Sequence, residues 1–337
     1  MGEVKYSYSR IETYNKCPWK YKLKYVDSNY IEGGTLATEL GTLIHFIEEH
    51  ISFYLMKGEA PDYDQLLDDY YNINVPKKDS KDVDGGQFGI NILQKRYPSE
   101  FFTADENGNS YATRCEWYAK EGIYRQEKFL EAHPTYKIFD VEKYFEFTYE
   151  GHIIKGYIDR IWYDTATKQY IIDDIKTKNK FFDEKDTKTP MQHCIYAMAL
   201  KEALGLFTEP TTFFYDLPFV NARQPVGSMH CIDRAKKKLS KLFAQIDGNM
   251  ENIQDQWKPS PSALCYYCEF GGLNPKLTPE GRHLCPYYSL WKPGAKFPCD
   301  TLNEWKGIDR HEEVMSHFLN EQCTNGQTVK QFDLSNF

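Results

Sequence analysis

No stretch of this sequence is long and apolar enough to span a bilayer, and the opening MGEVKYSYSR has no apolar core of the kind that directs secretion. The chain is therefore expected to be soluble and cytoplasmic, without a membrane partner. The glycine-rich loop G-x-x-x-x-G-K-[ST] is missing, which excludes an ATPase motor of that type. No internal repeat is evident. Positive charge is in short supply, with 41 Lys and Arg against 49 Asp and Glu and a net charge of -8. That balance speaks against a protein that coats nucleic acid, but it leaves room for local basic patches such as DRAKKKLSK, from Asp233 to Lys241. The same run suits a solvated helix face equally well. Nine cysteines, an odd number, do not form a disulfide framework in an intracellular chain. They are unevenly spread. Cys265, Cys268, Cys285 and Cys299 cluster late and Cys17 stands alone near the start, so metal binding is the natural alternative.

What is present is a chain of 337 residues, 16% aromatic, ample for one large domain or for a core with an added subdomain. Ser9-x-x-Glu12 has the pattern of a capping box, and Pro18 should break the helix it opens. A second helix is predicted from Leu36 to Leu55 on the apolar stripe Leu40, Ile44, Ile47 and Ile51. Residues 58–110, rich in turn formers, read as an insertion of poorly defined structure. A third helix is predicted over Ala112 to Ala132, ended by His133-Pro134. The period then changes to that of an antiparallel meander: Lys137 to Tyr149, a turn at Glu150-Gly151, His152 to Tyr163, a turn at DTATKQ, and Tyr170 to Lys176. Thr189, Pro190 and Gly205 bracket a helix, TTFFYDL reads as another strand, and a basic helix covers Asp233 to Ile246.

The segment that carries chemistry is GYIDRIWYDTATKQYIIDDIKTK, from Gly156 to Lys178. Side chains at i and i+2 share a strand face, so Asp174 and Lys176 point the same way while Asp173 has the wrong parity. The hairpin can set Asp159 beside Asp174. Two carboxylates and a lysine at a strand end suit a hydrolytic site in which Mg2+ or Mn2+, hard ions that prefer oxygen, activates water. Lys176 can orient that water or offset charge in the transition state. D-x-K alone is a weak pattern, and a surface hairpin with ordinary Asp and Lys is the competing reading. Glu142 and Glu146, on the preceding strand, could either of them assist, but a solvated strand face is the first reading.

Five segments in order resemble the PD-(D/E)XK nuclease superfamily, in particular its RecB-like exonuclease branch, which includes AddB-type and CRISPR-associated iron–sulfur nucleases. They are SRIETYNKCPWKYKLKYV (Ser9 to Val26), GTLIHFIEE (Gly41 to Glu49), GYIDRI (Gly156 to Ile161), IIDDIKTK (Ile171 to Lys178) and QHCIYAMAL (Gln192 to Leu200). The resemblance implies an α/β fold, a central mixed β-sheet flanked by helices as in restriction endonucleases, with a cysteine-bound lobe joining the N- and C-terminal segments. It implies His45, Asp159, Asp174 and Ile175 as metal-binding positions, and Asp159, Asp174, Lys176, Gln192 and Tyr196 as the catalytic set. Gln192 and Tyr196 would contact substrate or support Lys176. Gly41, one helical turn before His45, would let metal or DNA approach the imidazole.

The resemblance also implies that Cys17, Cys265, Cys268 and Cys285 hold a [4Fe–4S] cluster, with Pro286 after the last cysteine as in ferredoxins. Zn2+ suits the same ligands. The spacing departs from the family, because EFGGLNPKLTPEGRHL separates Cys268 from Cys285, which leaves Cys299 or His283 as substitutes. The expected organisation is N-terminal helices with Cys17 and His45 over 1–57, a helical insertion over 58–135, the nuclease core over 136–250, a cysteine-rich lobe over 251–300, and a C-terminal helix and tail over 301–337. The implied function is a metal-dependent DNA nuclease, acting as an exonuclease on single-stranded ends. Its setting would be recombination, repair or phage DNA processing in a bacterial or phage-infected cell, with a helicase or recombination protein as a partner in trans. The rival is a catalytically silent subunit of the same fold that binds nucleic acid or protein.

Overall fold

The computed structural model of the chain describes residues 4–29, 34–75, 86–188, 191–206, 212–227 and 229–251, together with 257, 260, 265, 268–270 and 285. They fall into two compact units, Met1–Tyr8 with Gly34–Ser240, and Ser9–Gly33 with Lys241–Phe337. In chain order the elements are β1 (Lys5–Tyr6), α1 (Tyr8–Lys16), α2 (Pro18–Tyr21) running on into a π-helical turn (Lys22–Val26), α3 (Leu36–Lys57), α4 (Tyr63–Asn72), β2 (Asn74–Val75), β3 (Gln87–Phe88), α5 (Ile90–Arg96), α6 (Pro98–Phe102), α7 (Tyr111–Lys120), a 3-10 turn (Gly122–Tyr124) and α8 (Arg125–Ala132). Then come β4 (Tyr136–Tyr149), β5 (His152–Asp164), β6 (Gln169–Ile175), α9 (Glu184–Lys188), α10 (Met191–Glu202), β7 (Thr212–Leu217), β8 (Ala222–Val226) and α11 (Met229–Glu251).

The first unit is built on a mixed sheet, with order β1-β5-β6-β7-β8 and β4 on the other edge of β5. Its longest feature is the β4–β5 hairpin. Glu150 (φ 47°) and Gly151 (φ 81°) both take the left-handed conformation. That makes a two-residue turn whose twist matches the strands, and it fixes the register at Tyr149↔His152. β5 pairs antiparallel with β6, β6 parallel with β7, and β7 antiparallel with β8. From Ile171 to Ile175 every residue of β6 is buried, as an interior strand covered on both faces requires. α3 packs against β4 and β5, burying Leu36, Leu40, Leu43, Ile44, Ile47 and Ile51. α10 packs against β4, and all its residues from His193 to Leu200 are buried. The fold is thus the α/β arrangement expected, a central mixed sheet flanked by helices. The second unit joins α1 and α2 to the C-terminal segment: the Asn249 amide donates to the Tyr14 hydroxyl, and Trp257 stacks on Tyr21 with ring centroids 5.9 Å apart.

Several expectations are corrected. The first helix begins at Tyr8, so Ser9 lies inside it and receives the Thr13 hydroxyl on its carbonyl, while Glu12 accepts from the Asn15 amide. The capping box therefore does not form. The cap is used one helix later, where Cys17 precedes Pro18 and its Sγ accepts the Lys20 N–H. The segment 58–110, read as poorly defined within a helical insertion, is ordered over its described residues, 58–75 and 86–110. It holds α4, α5, α6 and a β2–β3 ribbon, and Leu66, Tyr70, Ile90, Leu93 and Phe101 join the core cluster of α3. The anchors keep helical spacing within each element, Leu66 with Tyr70 and Ile90 with Leu93, but each helix is too short to repeat it. The helix predicted over 112–132 is broken at Gly122, where an added Cβ would stand 2.7 Å from the Tyr118 ring. The basic helix runs longer than predicted, from Met229 to Glu251, and Arg234, Lys237, Lys238 and Lys241 form its exposed side. Thr189 and Pro190, like Cys299 and His283, lie outside the described residues.

Candidate metal centre

Strand parity and hairpin register converge on one place. The β5–β6 ladder pairs Arg160 with Asp173, so Asp159 and Asp174, the next positions along each strand, share the opposite face. The β4–β5 ladder pairs Val141 with Arg160 and Lys143 with Ile158, which sets Glu142 across from Asp159. Glu142 has φ 46°, a strained value for a residue that is not glycine. It stands with His45 and Asp159 so that one ligand atom from each lies within 4.8 Å of the others. α3 carries His45 to the strand ends: its Nε2 is 3.1 Å from the Ile175 carbonyl oxygen, and its Nδ1 is 3.8 Å from Asp159 Oδ2. The Ile175 N–H donates to the same Asp159 oxygen at 2.7 Å. Lys176, just past β6, pairs with Asp174 Oδ2. The Tyr196 hydroxyl donates to Asp174 Oδ1 at 3.4 Å and receives the Gln192 amide at 2.7 Å. Asp173 faces the other way, toward Arg160, Arg223 and Trp162.

Thus His45, Asp159, Ile175 and Asp174 lie together with Lys176, and Tyr196 and Gln192 extend from Asp174 along α10. Two sequence readings change. Glu142 belongs to this cluster rather than to a solvated strand face. The signal was available: counting back from the two-residue turn at Glu150-Gly151 puts Glu142 opposite Asp159. Glu146 is indeed on a solvated face, paired with Lys5. The reading of Gly41 changes too: a Cβ there would meet the Thr177 hydroxyl at 3.4 Å and no side-chain atom of His45 within 4 Å.

The electrostatics of the cluster are those of carboxylates in want of a cation. Burial, then the charges of Asp159, Glu49 and Asp174, pushes the Glu142 carboxyl up to about 8. Asp159 is raised by burial, with His45 opposing that and Asp174 reinforcing it. Glu49, one helical turn from His45, is raised by burial as well. For Lys176, burial works against the charged form, but Asp174 and Asp159 carry its ammonium above the usual value, so it stays protonated. Oxygen-rich donors with one imidazole suit a hard divalent ion. The arrangement can hold such an ion and keep a cation beside it.

In the second unit, Cys17, Cys265, Cys268 and Cys285 are all partly buried and none forms a disulfide. Cys17 Sγ accepts the backbone N–H of Lys20 and of Ser260, each at 3.5 Å. Burial pushes the Cys268 thiol up to about 11, with Lys20 opposing and Glu269 and Cys17 adding to the effect. The Cys285 N–H donates to the carbonyl of Phe270, two residues after the C-x-x-C pair, at 3.0 Å.

Comparisons with known proteins bear on the same residues. One solved structure, a protein of Eubacterium rectale named as a candidate exonuclease, aligns with a TM-score of 0.40 and 11% identity over 78% of this chain and 86% of that one. No curated protein matches. The family model of the PD-(D/E)XK nuclease superfamily matches residues 5–273, from β1 through both hairpins and α10 to the C-x-x-C pair. With the greater part of its sequence matched, and its acidic strand ends meeting at one point, the chain belongs to the PD-(D/E)XK nuclease superfamily.

Proposed function

We propose that this chain is a divalent-metal-dependent deoxyribonuclease of the RecB-like branch, hydrolysing phosphodiesters as an exonuclease on single-stranded DNA ends. The observation that carries the reading is the meeting of His45, Glu142 and Asp159 beside an Asp174–Lys176 pair. His45, Glu142, Asp159 and the Ile175 carbonyl would hold Mg2+ or Mn2+, with Asp174 adjoining. Such an ion supplies Lewis acidity toward a phosphate oxygen and lowers the pKa of water. The chain's own groups do the rest. Asp174 keeps Lys176 charged and aimed, so that its ammonium can donate to the attacking water or to a phosphate oxygen as charge builds. Tyr196, steadied by Gln192, fixes the Asp174 carboxylate. Glu49, raised by burial and one helical turn from His45, is a group through which a proton can leave.

The test is cleavage of DNA labelled at either end, single- and double-stranded, with Mg2+ or Mn2+, with wild type beside Asp174→Ala. Metal-dependent shortening from an end by wild type alone is the expected result. No cleavage by wild type with either ion would favour the silent binding subunit.

The same reading assigns Cys17, Cys265, Cys268 and Cys285 to a [4Fe–4S] cluster that ties the N-terminal helices to the C-terminal segment. Its support is the membership of all four in one unit, the two N–H donors on Cys17 Sγ, and the Cys285 N–H bond to the Phe270 carbonyl beside the C-x-x-C pair. Protein purified without oxygen should be brown, with iron and sulfide in stoichiometric amounts. Cys17→Ser should bleach it and lower its stability, whereas Cys323→Ser should not. Zinc without sulfide would replace the cluster while keeping the tie.

A further inference from the structure

We propose that Tyr144 and Tyr157 form a stacking platform that receives the bases of a single strand on its way to the carboxylates; the proposal rests on the nuclease reading above. Along β5, Lys155, Tyr157 and Asp159 alternate onto one face, so Tyr157 stands about 6.8 Å, two strand residues, from the proposed metal ligand. Across the ladder, Tyr144 is paired with Tyr157, two residues from Glu142. The ring centroids are 5.2 Å apart at an interplanar angle of 59°. Burial falls away steeply over this short distance: the Asp159 side chain is 11% exposed, Tyr144 43% and Tyr157 55%. Two large rings left half in water, one step from the site, are an unusual use of aromatic surface in a unit that buries its other β5 apolar residues from Ile158 to Trp162.

The groups around the rings fit a polyanion. The Tyr144 hydroxyl donates to Glu146 Oε2 at 2.5 Å, which holds the ring by its edge and leaves its face available. Lys5 pairs with that carboxylate at 2.8 Å, and Lys155 is its register partner on β5. Two ammonium groups therefore bracket one carboxylate, a local excess of positive charge next to the tyrosines. Exposed aromatic rings with interleaved lysines are the composition of sequence-tolerant single-strand sites, where every base offers a face to stack. A tyrosine pair across a ladder also steadies a hairpin, so the test has to separate stacking from stability.

The experiment measures binding of a short fluorescent oligothymidylate, and of an abasic strand of the same length, with Ca2+ in place of Mg2+ to hold back hydrolysis. Wild type should prefer the strand that has bases. Tyr157→Ala, and the double variant Tyr144→Ala/Tyr157→Ala, should lose about tenfold or more for oligothymidylate and keep their affinity for the abasic strand. The double variant Tyr144→Phe/Tyr157→Phe should retain the preference, because the ring face is what stacks. Unchanged oligothymidylate affinity in Tyr157→Ala would overturn the proposal, and so would equal loss for both strands. Absence of metal-dependent cleavage by wild type is a different failure: it removes the nuclease reading while the binding preference still reports on the platform.

Discussion

The two faces of the β5–β6 strand pair carry buried charge of opposite design, one residue apart in sequence. On one face Arg160 and Asp173 are register partners. There, Glu48 from α3, Asp173 from β6 and Asp216 from β7 meet Arg125 from α8, Arg160 from β5 and Arg223 from β8. Three carboxylates face three guanidiniums, with Gln126, Ser52, Trp162 and Tyr118 bonding into the cluster. On the other face Glu142, Asp159 and Asp174 gather with Glu49 nearby, against Lys176 and a histidine. The first cluster is balanced and closed, and spans helices and strands that the chain must bring together. The second has a surplus of negative charge: among the described residues, Lys176 and His45 face four carboxyl groups. Balance is what a buried structural network needs to offset desolvation, whereas imbalance is what a metal site needs before its metal arrives.

The sharpest way to break this comparison is to make one substitution on both faces. Asp216→Asn should cost about 3–5 kcal/mol of stability in a denaturant melt, because it leaves the buried Arg125, Arg160 and Arg223 guanidiniums facing two carboxylates in place of three. Burial alone would raise the Asp216 carboxyl, but Arg125 and Arg223 hold it well below the usual carboxylate range, so its charge favours the folded state. Asp159→Asn should do the reverse in metal-free protein and raise its melting point, since its carboxyl is raised in the fold and the amide can still accept the Ile175 N–H. Destabilisation by both would show that the two faces are alike.

The next contrast is between neighbours. Lys176→Ala should lower cleavage by about 100-fold, the scale of one preorganised transition-state contact, and Asp174→Asn should lower it at least as far. Asp173→Asn, one residue away on the balanced face, should leave metal affinity intact, as read by calorimetric titration with Mn2+. Loss of Mn2+ binding in Asp173→Asn would sink the separation of roles.

The asymmetry explains what could be read from the sequence. Asp174, Lys176 and the exclusion of Asp173 follow from strand parity alone, and Asp159 from a local hairpin; none needs distant information. His45 required a resemblance, because nothing in α3 distinguishes a histidine that reaches a strand end from one that stays in solvent. Glu142 was within reach of register counting. The balanced network was not legible: its members come from six elements spread between Glu48 and Arg223, and an arginine opposite an aspartate on a ladder gives no hint that four further charges will join them. The bounds of the helices within 58–110 were not legible for a similar reason, since Tyr70 and Phe101 are core only in relation to α3.

The smallest expected effect, and the one that tests imbalance most directly, is the pH dependence of metal-free protein. Glu142 has an ordinary value of 4.5 and is pushed up to about 8 in the fold, first by burial and then by Asp159, Glu49 and Asp174. Between those two values the folded state binds more protons than the unfolded state, so stability falls as pH rises through that window. The Asp216 carboxyl, lowered in the fold, works with the opposite sign, and its stabilisation is lost only as pH falls below the ordinary carboxylate range. Metal-free protein should therefore melt lower at pH 8 than at pH 6, where Asp216 is still ionised. Saturating Mn2+ should raise the melting point by a few degrees at pH 8 and by less at pH 6, because the ion must displace protons at the lower pH. Glu142→Gln removes the titrating group and should flatten both the pH slope and the Mn2+ response. A melting point that rises from pH 6 to pH 8 without metal, or a Mn2+ shift equal at both, would mean that the carboxylates on this face are not competing for the place of a cation.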